Sequence, residues 1–208
     1  MRLAAHRTDS YPVVEFWFIW SDKLGLPAYP PVHITLYDWA HVIGNWEIAH
    51  VSEPQRFVLY AHAYLNSALL SCEQMAAHQA QRTWPNATVV LMLSAHSVEL
   101  FLKGAILSRD NNAKVGDHRI DLLTEKYREL YVEPCFEFDV PFRTEYPSIS
   151  EEEIQALKKT EPVPSILFRY PVRKPGVEWQ GVHGFEADGF LRILANLGSS
   201  YERISIVI

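Results

Sequence analysis

The chain has 208 residues, a net charge of −6 and 48% hydrophobic residues. That is enough to bury a substantial core without disulfide staples, and the acidic balance argues against broad coating of nucleic acid while leaving room for a local basic patch. The two cysteines, Cys72 and Cys135, make no disulfide framework, and a reducing cytosol is the expected setting.

The opening MRLAAHRTDS lacks the apolar run of a secretory signal. VVEFWFIW (13–20) is strongly apolar but too short to span a bilayer and carries Glu15. No run of membrane-spanning length is expected anywhere, and no membrane association. Residues 1–51 form an aromatic N-terminal extension expected to pack on the rest of the chain, because its tryptophans and tyrosines must be covered. Within it VVEFWFIW reads as a strand, SDKLGLPAYPP as a turn or loop, and LYDWAHVIGNW as a short helix.

From Ser52 the periodicity changes. Ser52, Glu53 and Pro54 are a helix start, and Phe57, Tyr60, Tyr64, Leu65, Ala68 and Cys72 recur at three- and four-residue steps, predicting a helix of about eight turns ended by TWPNA. A second helix, capped by Thr83 or Asn86, runs to about Arg109. It contains LMLSAHSVELFLKGAIL (91–107), apolar nearly all round yet holding His96, Glu99 and Lys103 within roughly 60° of one another. RDNNAKVGD is a loop, and HRIDLLTEKYRELY a third helix with Ile120, Leu123, Tyr127 and Leu130 on one side. Residues 132–185 form a mixed insert in which Ser150 and Glu153 make a capping box opening a short helix, and ILFRYPV reads as extended. FEADGFLRILANLGSSYERI closes the chain as a fourth helix with Phe190, Ile193, Leu194 and Leu197 periodic. The fold class is therefore mainly α, an up-down helical bundle over 52–208.

The order of a long first helix, SAHSVELFLKGAIL, a polar loop, GDHRIDLLTEKY and FRYP resembles the HEPN superfamily. Glu99 and Lys103, followed by Gly104 and Ala105, match a second-helix pattern A-x-x-x-E-x-x-x-K-A-x-L. Gly116, Asp117 and His118 match a loop pattern G-H-D-L loosely, with Asp121 and Leu122 three positions late. The likeness covers residues 52–131 and 186–204. It implies a four- or five-helix bundle, often a homodimer. Some such proteins are metal-independent endoribonucleases of defence or toxin–antitoxin systems; others are non-catalytic partners of a nucleotidyltransferase. The ribonuclease branch carries R-x4–6-H. Here only Arg56 and His62 fit that spacing, and six residues along one helix separates two side chains by about 120°. The resemblance thus implies a non-catalytic, cytosolic member associated with RNA, a nucleotide or a partner protein, with no cofactor. Its ribonuclease alternative needs Arg56 with His62, or Arg109 with His118, to converge in a dimer. A third alternative is an interaction module without a ligand, using the aromatics of residues 11–46.

The other constellations have two readings each. The His96, Glu99 and Lys103 stripe is either an i,i+4 ion pair at the bundle edge, worth a few tenths of a kcal/mol, or a polar interhelical pocket that also takes in His118. Lys158, Lys159, Arg169, Arg173 and Lys174, interleaved with Phe168 and Tyr170, are either a solvated face or a surface that grips phosphates and stacks a base. Arg169 and Arg173 join the stripe as candidate ligand-binding residues. Asp38 with His41 and Glu47 with His50 repeat a carboxylate-x-x-His spacing, but their separation turns them apart, and no metal site is expected.

Overall fold

Breaks at Ser52, His78 and Thr83 cut the most apolar part of the chain into two rods that fold back on each other. In a computed structural model the described residues are 5–8, 11–16, 32–35, 44–142, 150–160, 164–170, 172–174, 177–178 and 184–208. The chain divides into two compact units, residues 1–50 and 51–208.

In the first unit, strands β1 (Ala5–Thr8), β2 (Tyr11–Phe16) and β3 (Val32–Thr35) form an antiparallel sheet in that order. Its register sets His6 opposite Val13 and Val14 opposite Ile34. The expected strand over 13–20 is thus seen as β2, beginning two residues earlier; residues 17–20 lie outside the described residues. Of the expected helix over LYDWAHVIGNW, residues 36–43 also lie outside them, and a 3-10 turn spans Asn45–Ile48.

The second unit is a helical bundle. Helix α1 (Glu53–Ala77) is shorter than the predicted eight turns. It stops at His78, whose backbone is extended, and Arg82 reaches back to hydrogen-bond the freed carbonyls of Met75 (3.0 Å) and Ala76 (2.6 Å). A side chain thus does what a C-cap glycine often does elsewhere. A 3-10 turn over Gln79–Gln81 leads into α2 (Trp84–Arg109). Thr83 is its N-cap, accepting from the Asn86 backbone, while the Asn86 side chain donates to the Gln81 carbonyl. The connection is short, so α1 and α2 run antiparallel. Helix α3 (Ile120–Leu130) buries Ile120, Leu123 and Tyr127, as its spacing predicted. After a 3-10 turn over Pro134–Phe136 come α4 (Glu151–Thr160), α5 (Pro164–Leu167), the hairpin β4 (Val172–Lys174) with β5 (Val177–Glu178), and α6 (Ala187–Ser205). Ser150 and Glu153 form the predicted capping box at α4. ILFRYPV is not extended throughout: Ile166 and Leu167 complete α5, and the strand begins at Val172. Helix α6 buries Leu194, Leu197, Tyr201 and Ile204, whereas Ile193 points outward.

Helix α2 is the axle of the bundle and packs against α1, α3, α5 and α6. It is also long and apolar enough to cross a membrane by length and composition, contrary to the expectation that no such run exists. Most of that stretch is buried against the neighbouring helices. The close approach of α1 and α2 is made at Gly104. A Cβ there would stand 2.8 Å from Val58 Cγ2 and 2.9 Å from the Pro54 carbonyl oxygen. Lower down, Ser97 Oγ donates to the Ala61 carbonyl at 2.7 Å and lies 3.3 Å from the Tyr201 hydroxyl. The Tyr201 ring stacks on Phe101 with centroids 3.8 Å apart, and Phe138 meets both edge-on. Among the described residues every buried side-chain nitrogen and oxygen has a partner.

Candidate functional site

Helical spacing of three and four puts His96, Glu99 and Lys103 on one face of α2, and the bundle then treats them differently. Glu99 is 2% exposed and Lys103 6%, while the side chains of His96 and His118 keep 35% and 63% exposure. Lys103 Nζ donates to Glu99 Oε1 at 2.8 Å. His118 comes from the loop before α3, with Nδ1 2.9 Å from the same oxygen. His96 Nδ1 lies 4.0 Å from the other oxygen, Oε2. One buried carboxylate thus gathers an ammonium and two imidazoles. The expected i,i+4 pair is real, but it is not a solvent-screened surface pair: both partners are buried beneath the partly exposed imidazoles, which raises what it costs to break.

The loop is set for this contact by its own charges. Asp117 Oδ1 accepts from the Arg119 backbone at 2.9 Å, and the Arg119 guanidinium meets the Asp121 carboxylate at 3.2 Å through two nitrogens. That paired geometry fixes the entry into α3 and delivers His118 to Glu99. Gly116 has open space around the position of a Cβ, so nothing steric requires glycine there.

On the other flank the Tyr64 ring from α1 meets the His96 ring edge-on, with centroids 4.6 Å apart. Burial, the largest influence, lowers the His96 pKa below its ordinary value; Glu99 opposes this, and Lys103, His118 and Arg169 reinforce it. Arg169, just after α5, is therefore within electrostatic reach of His96, and its guanidinium lies 5.5 Å from the centre of the Tyr170 ring. Both Arg169 and Tyr170 are exposed. Tyr64 is the contributor that sequence reasoning treated only as core; its place in the α1 repeat was legible, its meeting with His96 was not.

The remaining predicted residues lie apart from this cluster. Arg56 is exposed on α1. His62, on the same continuous helix, faces α6, with Nε2 3.3 Å from Ser205 Oγ and its ring edge-on to Tyr201. Six residues of helix keep Arg56 and His62 on different faces within one chain. Arg109 is held by Glu133 at 3.1 Å, and its guanidinium lies over the rings of Tyr131 and Phe136. It clasps the ends of α2 and α3, about 15 Å along α2 from Glu99, the residue that His118 contacts. Arg173 lies in β4, and only its backbone placement is described.

A pocket of about 210 Å³ opens at the opposite end of the α1–α2 hairpin, beside Met75, Arg82, Trp84, Phe185 and Glu186. It shares no residue with the Glu99 cluster, and its arginine is already engaged by the α1 carbonyls and by Asp188 at 3.6 Å. Among the described residues no group of three His, Cys, Asp or Glu side chains is arranged to hold a metal ion. No family model, curated protein or solved structure matches the chain.

Proposed function

We propose that the chain is a HEPN-like protein that associates with RNA or a nucleotide through the Glu99-centred edge of its bundle. The observation that carries this is the division of labour at Glu99. The acceptor oxygens are buried and occupied, and the groups left at the surface are imidazoles and a guanidinium. Such an edge presents ring nitrogens and the Arg169 guanidinium to solvent, which suits a phosphate. Tyr170 beside Arg169 adds an aromatic face of the kind on which bases stack. The family resemblance of Glu99, Lys103 and the GDH loop points the same way, and it adds the expectation of a nucleotidyltransferase-type or toxin–antitoxin partner.

The ribonuclease pairs of the resemblance do not support the reading. Arg56 and His62 diverge, and Arg109 is committed to Glu133 while His118 is committed to Glu99. The association is tested by fluorescence anisotropy with an end-labelled single-stranded RNA and with a labelled adenine nucleotide. His118→Ala and Arg169→Ala, both at exposed positions, are each expected to weaken binding about tenfold, the cost of one charge-assisted hydrogen bond. Unchanged binding in both variants refutes the assignment of this edge.

A further inference from the structure

The pocket at the far end of the α1–α2 hairpin combines an apolar, aromatic lining with an acidic surround. Buried Met75, Ala87 and Ala187 line it together with two aromatic residues, Trp84 from the start of α2 and Phe185 from the segment before α6. The Phe185 ring packs on Phe190, with centroids 5.2 Å apart, and Phe190 meets Phe142 at 6.2 Å, so this wall is held by its own neighbours. Trp84 keeps 43% exposure. A cavity of about 150 Å³ is enough for a benzene ring, so the 210 Å³ here has room for a small organic molecule or one end of a larger one.

The charge around it is acidic. Glu186, a lining residue, caps α6 by accepting from the backbone of Asp188 and Gly189. Those bonds, the one from Gly189 foremost, hold its carboxyl below the usual carboxylate range, so it is an anion near neutral pH. Each of its oxygens accepts one bond there and retains acceptor capacity. Arg82 also lines the pocket, but its Nε and Nη2 donate to the Met75 and Ala76 carbonyls, and Nη2 lies 3.6 Å from Asp188. Its charge thus answers the negative end of α1. Cys72, whose thiol donates to the Ala187 carbonyl at 3.4 Å, registers the balance: after burial, the influences that push it up are Asp188, Glu186 and Glu73.

We infer that this pocket binds a small organic cation, a quaternary ammonium or amine with an apolar body, seated against Trp84 and Phe185 and drawn in by Glu186. Aromatic rings attract an ammonium through their negative faces, and the apolar substituents of such a cation match Met75 and the two alanines. An anion would meet Glu186 and Asp188 with like charge. A purely apolar molecule would gain nothing from either carboxylate. The inference is independent of RNA or nucleotide binding at Glu99, since the two sites share no residue.

The test is calorimetric titration of the full chain at constant ionic strength with three probes of one shape: choline, its uncharged carbon isostere 3,3-dimethylbutanol, and the anion 3,3-dimethylbutyrate. Choline is expected to bind with a Kd on the order of 1 mM, and about tenfold tighter than the uncharged isostere, the share that charge and rings supply together. The anion is expected to bind more weakly than either. Trp84→Ala, at an exposed position, and Glu186→Gln, which keeps an oxygen for the α6 cap, are each expected to weaken choline binding at least about fivefold. Arg169→Ala, on the Glu99 edge, is expected to leave it unchanged. Helical signal and melting temperature of each variant separate a lost contact from a lost fold. Equal binding of choline and the uncharged isostere overturns the assignment of a cation. Tightest binding of the anion makes Arg82 the recognition group and overturns it too. No heat from choline at about 50 mM, or choline binding that is the same in folded Trp84→Ala and Glu186→Gln as in the intact chain, overturns the site.

Discussion

Replacing Lys103 with Met asks whether the Glu99 site is inside the bundle or on it. The Lys103 stem runs among core side chains, so Met fills much the same volume and removes only the ammonium. Glu99 then keeps a carboxylate at 2% exposure with His118 as its remaining close donor. Breaking a buried pair by deleting one partner costs about 3–5 kcal/mol, because the other charge stays stranded. The same pair on an exposed helix face is worth only a few tenths of a kcal/mol. Against a typical domain stability of about 5–15 kcal/mol, the buried figure is a large share. It corresponds to a fall in melting temperature of about 6–20 °C for a unit of this size. Urea unfolding followed by helical circular dichroism gives the free energy, and calorimetry gives the melting temperature. Glu99→Gln combined with Lys103→Met is expected to recover part of the loss, since no unpaired charge remains. A loss below about 1 kcal/mol in Lys103→Met, with no recovery in the double variant, refutes the argument and returns the pair to the solvent-screened class.

Further expectations follow from other parts of the bundle. Gly104→Ala places a methyl against the Pro54 carbonyl and Val58 at under 3 Å; it is expected to cost about 1–3 kcal/mol in urea unfolding, and a neutral result contradicts the close approach of α1 and α2. Cys72 is buried, and burial, reinforced by Asp188, Glu186 and Glu73, pushes its thiol up to about 11, whereas Cys135 is exposed. A thiol reagent at neutral pH is therefore expected to titrate one cysteine in the native protein and two in denaturant; rapid reaction of both in the native state contradicts the placement of Cys72. Burial also lowers the pKa values of His62 and His96 below 6.5, with Glu202 and Glu99 respectively opposing. The unfolded chain then binds more protons than the folded one as pH falls through 6.5, so stability is full above that value and declines below it. Unfolding measured from pH 8 to pH 5 is expected to show this decline, and His62→Gln to flatten it; a His62→Gln profile parallel to that of the native chain contradicts the assignment of His62.

What the sequence made legible follows from period and capping. The three- and four-residue repeats located α1, α2, α3 and α6, and Ser150 with Glu153 marked the start of α4, because these signals are local. The end of α1 was misplaced because Arg82, four positions beyond the break at His78, supplies the missing cap from across the turn. Ile193 was assigned inward because its spacing fits, but the face α6 buries is set by Tyr201 meeting Phe101 and Ser97, a matter of partners. The face shared by His96, Glu99 and Lys103 was readable from helical geometry. Its burial was not, since that depends on α1 and on a loop nearly twenty residues away in the chain. The loose GDH motif pointed to His118, and only the fold shows that its imidazole reaches Glu99.

Whether the Glu99-centred edge holds RNA or a nucleotide is decided by equilibrium binding of a labelled single-stranded RNA and a labelled nucleotide to the intact chain, His118→Ala and Arg169→Ala under identical salt. Measurable binding by the intact chain and about tenfold weaker binding by each variant are expected. No binding by the intact chain, or equal binding by all three, contradicts it.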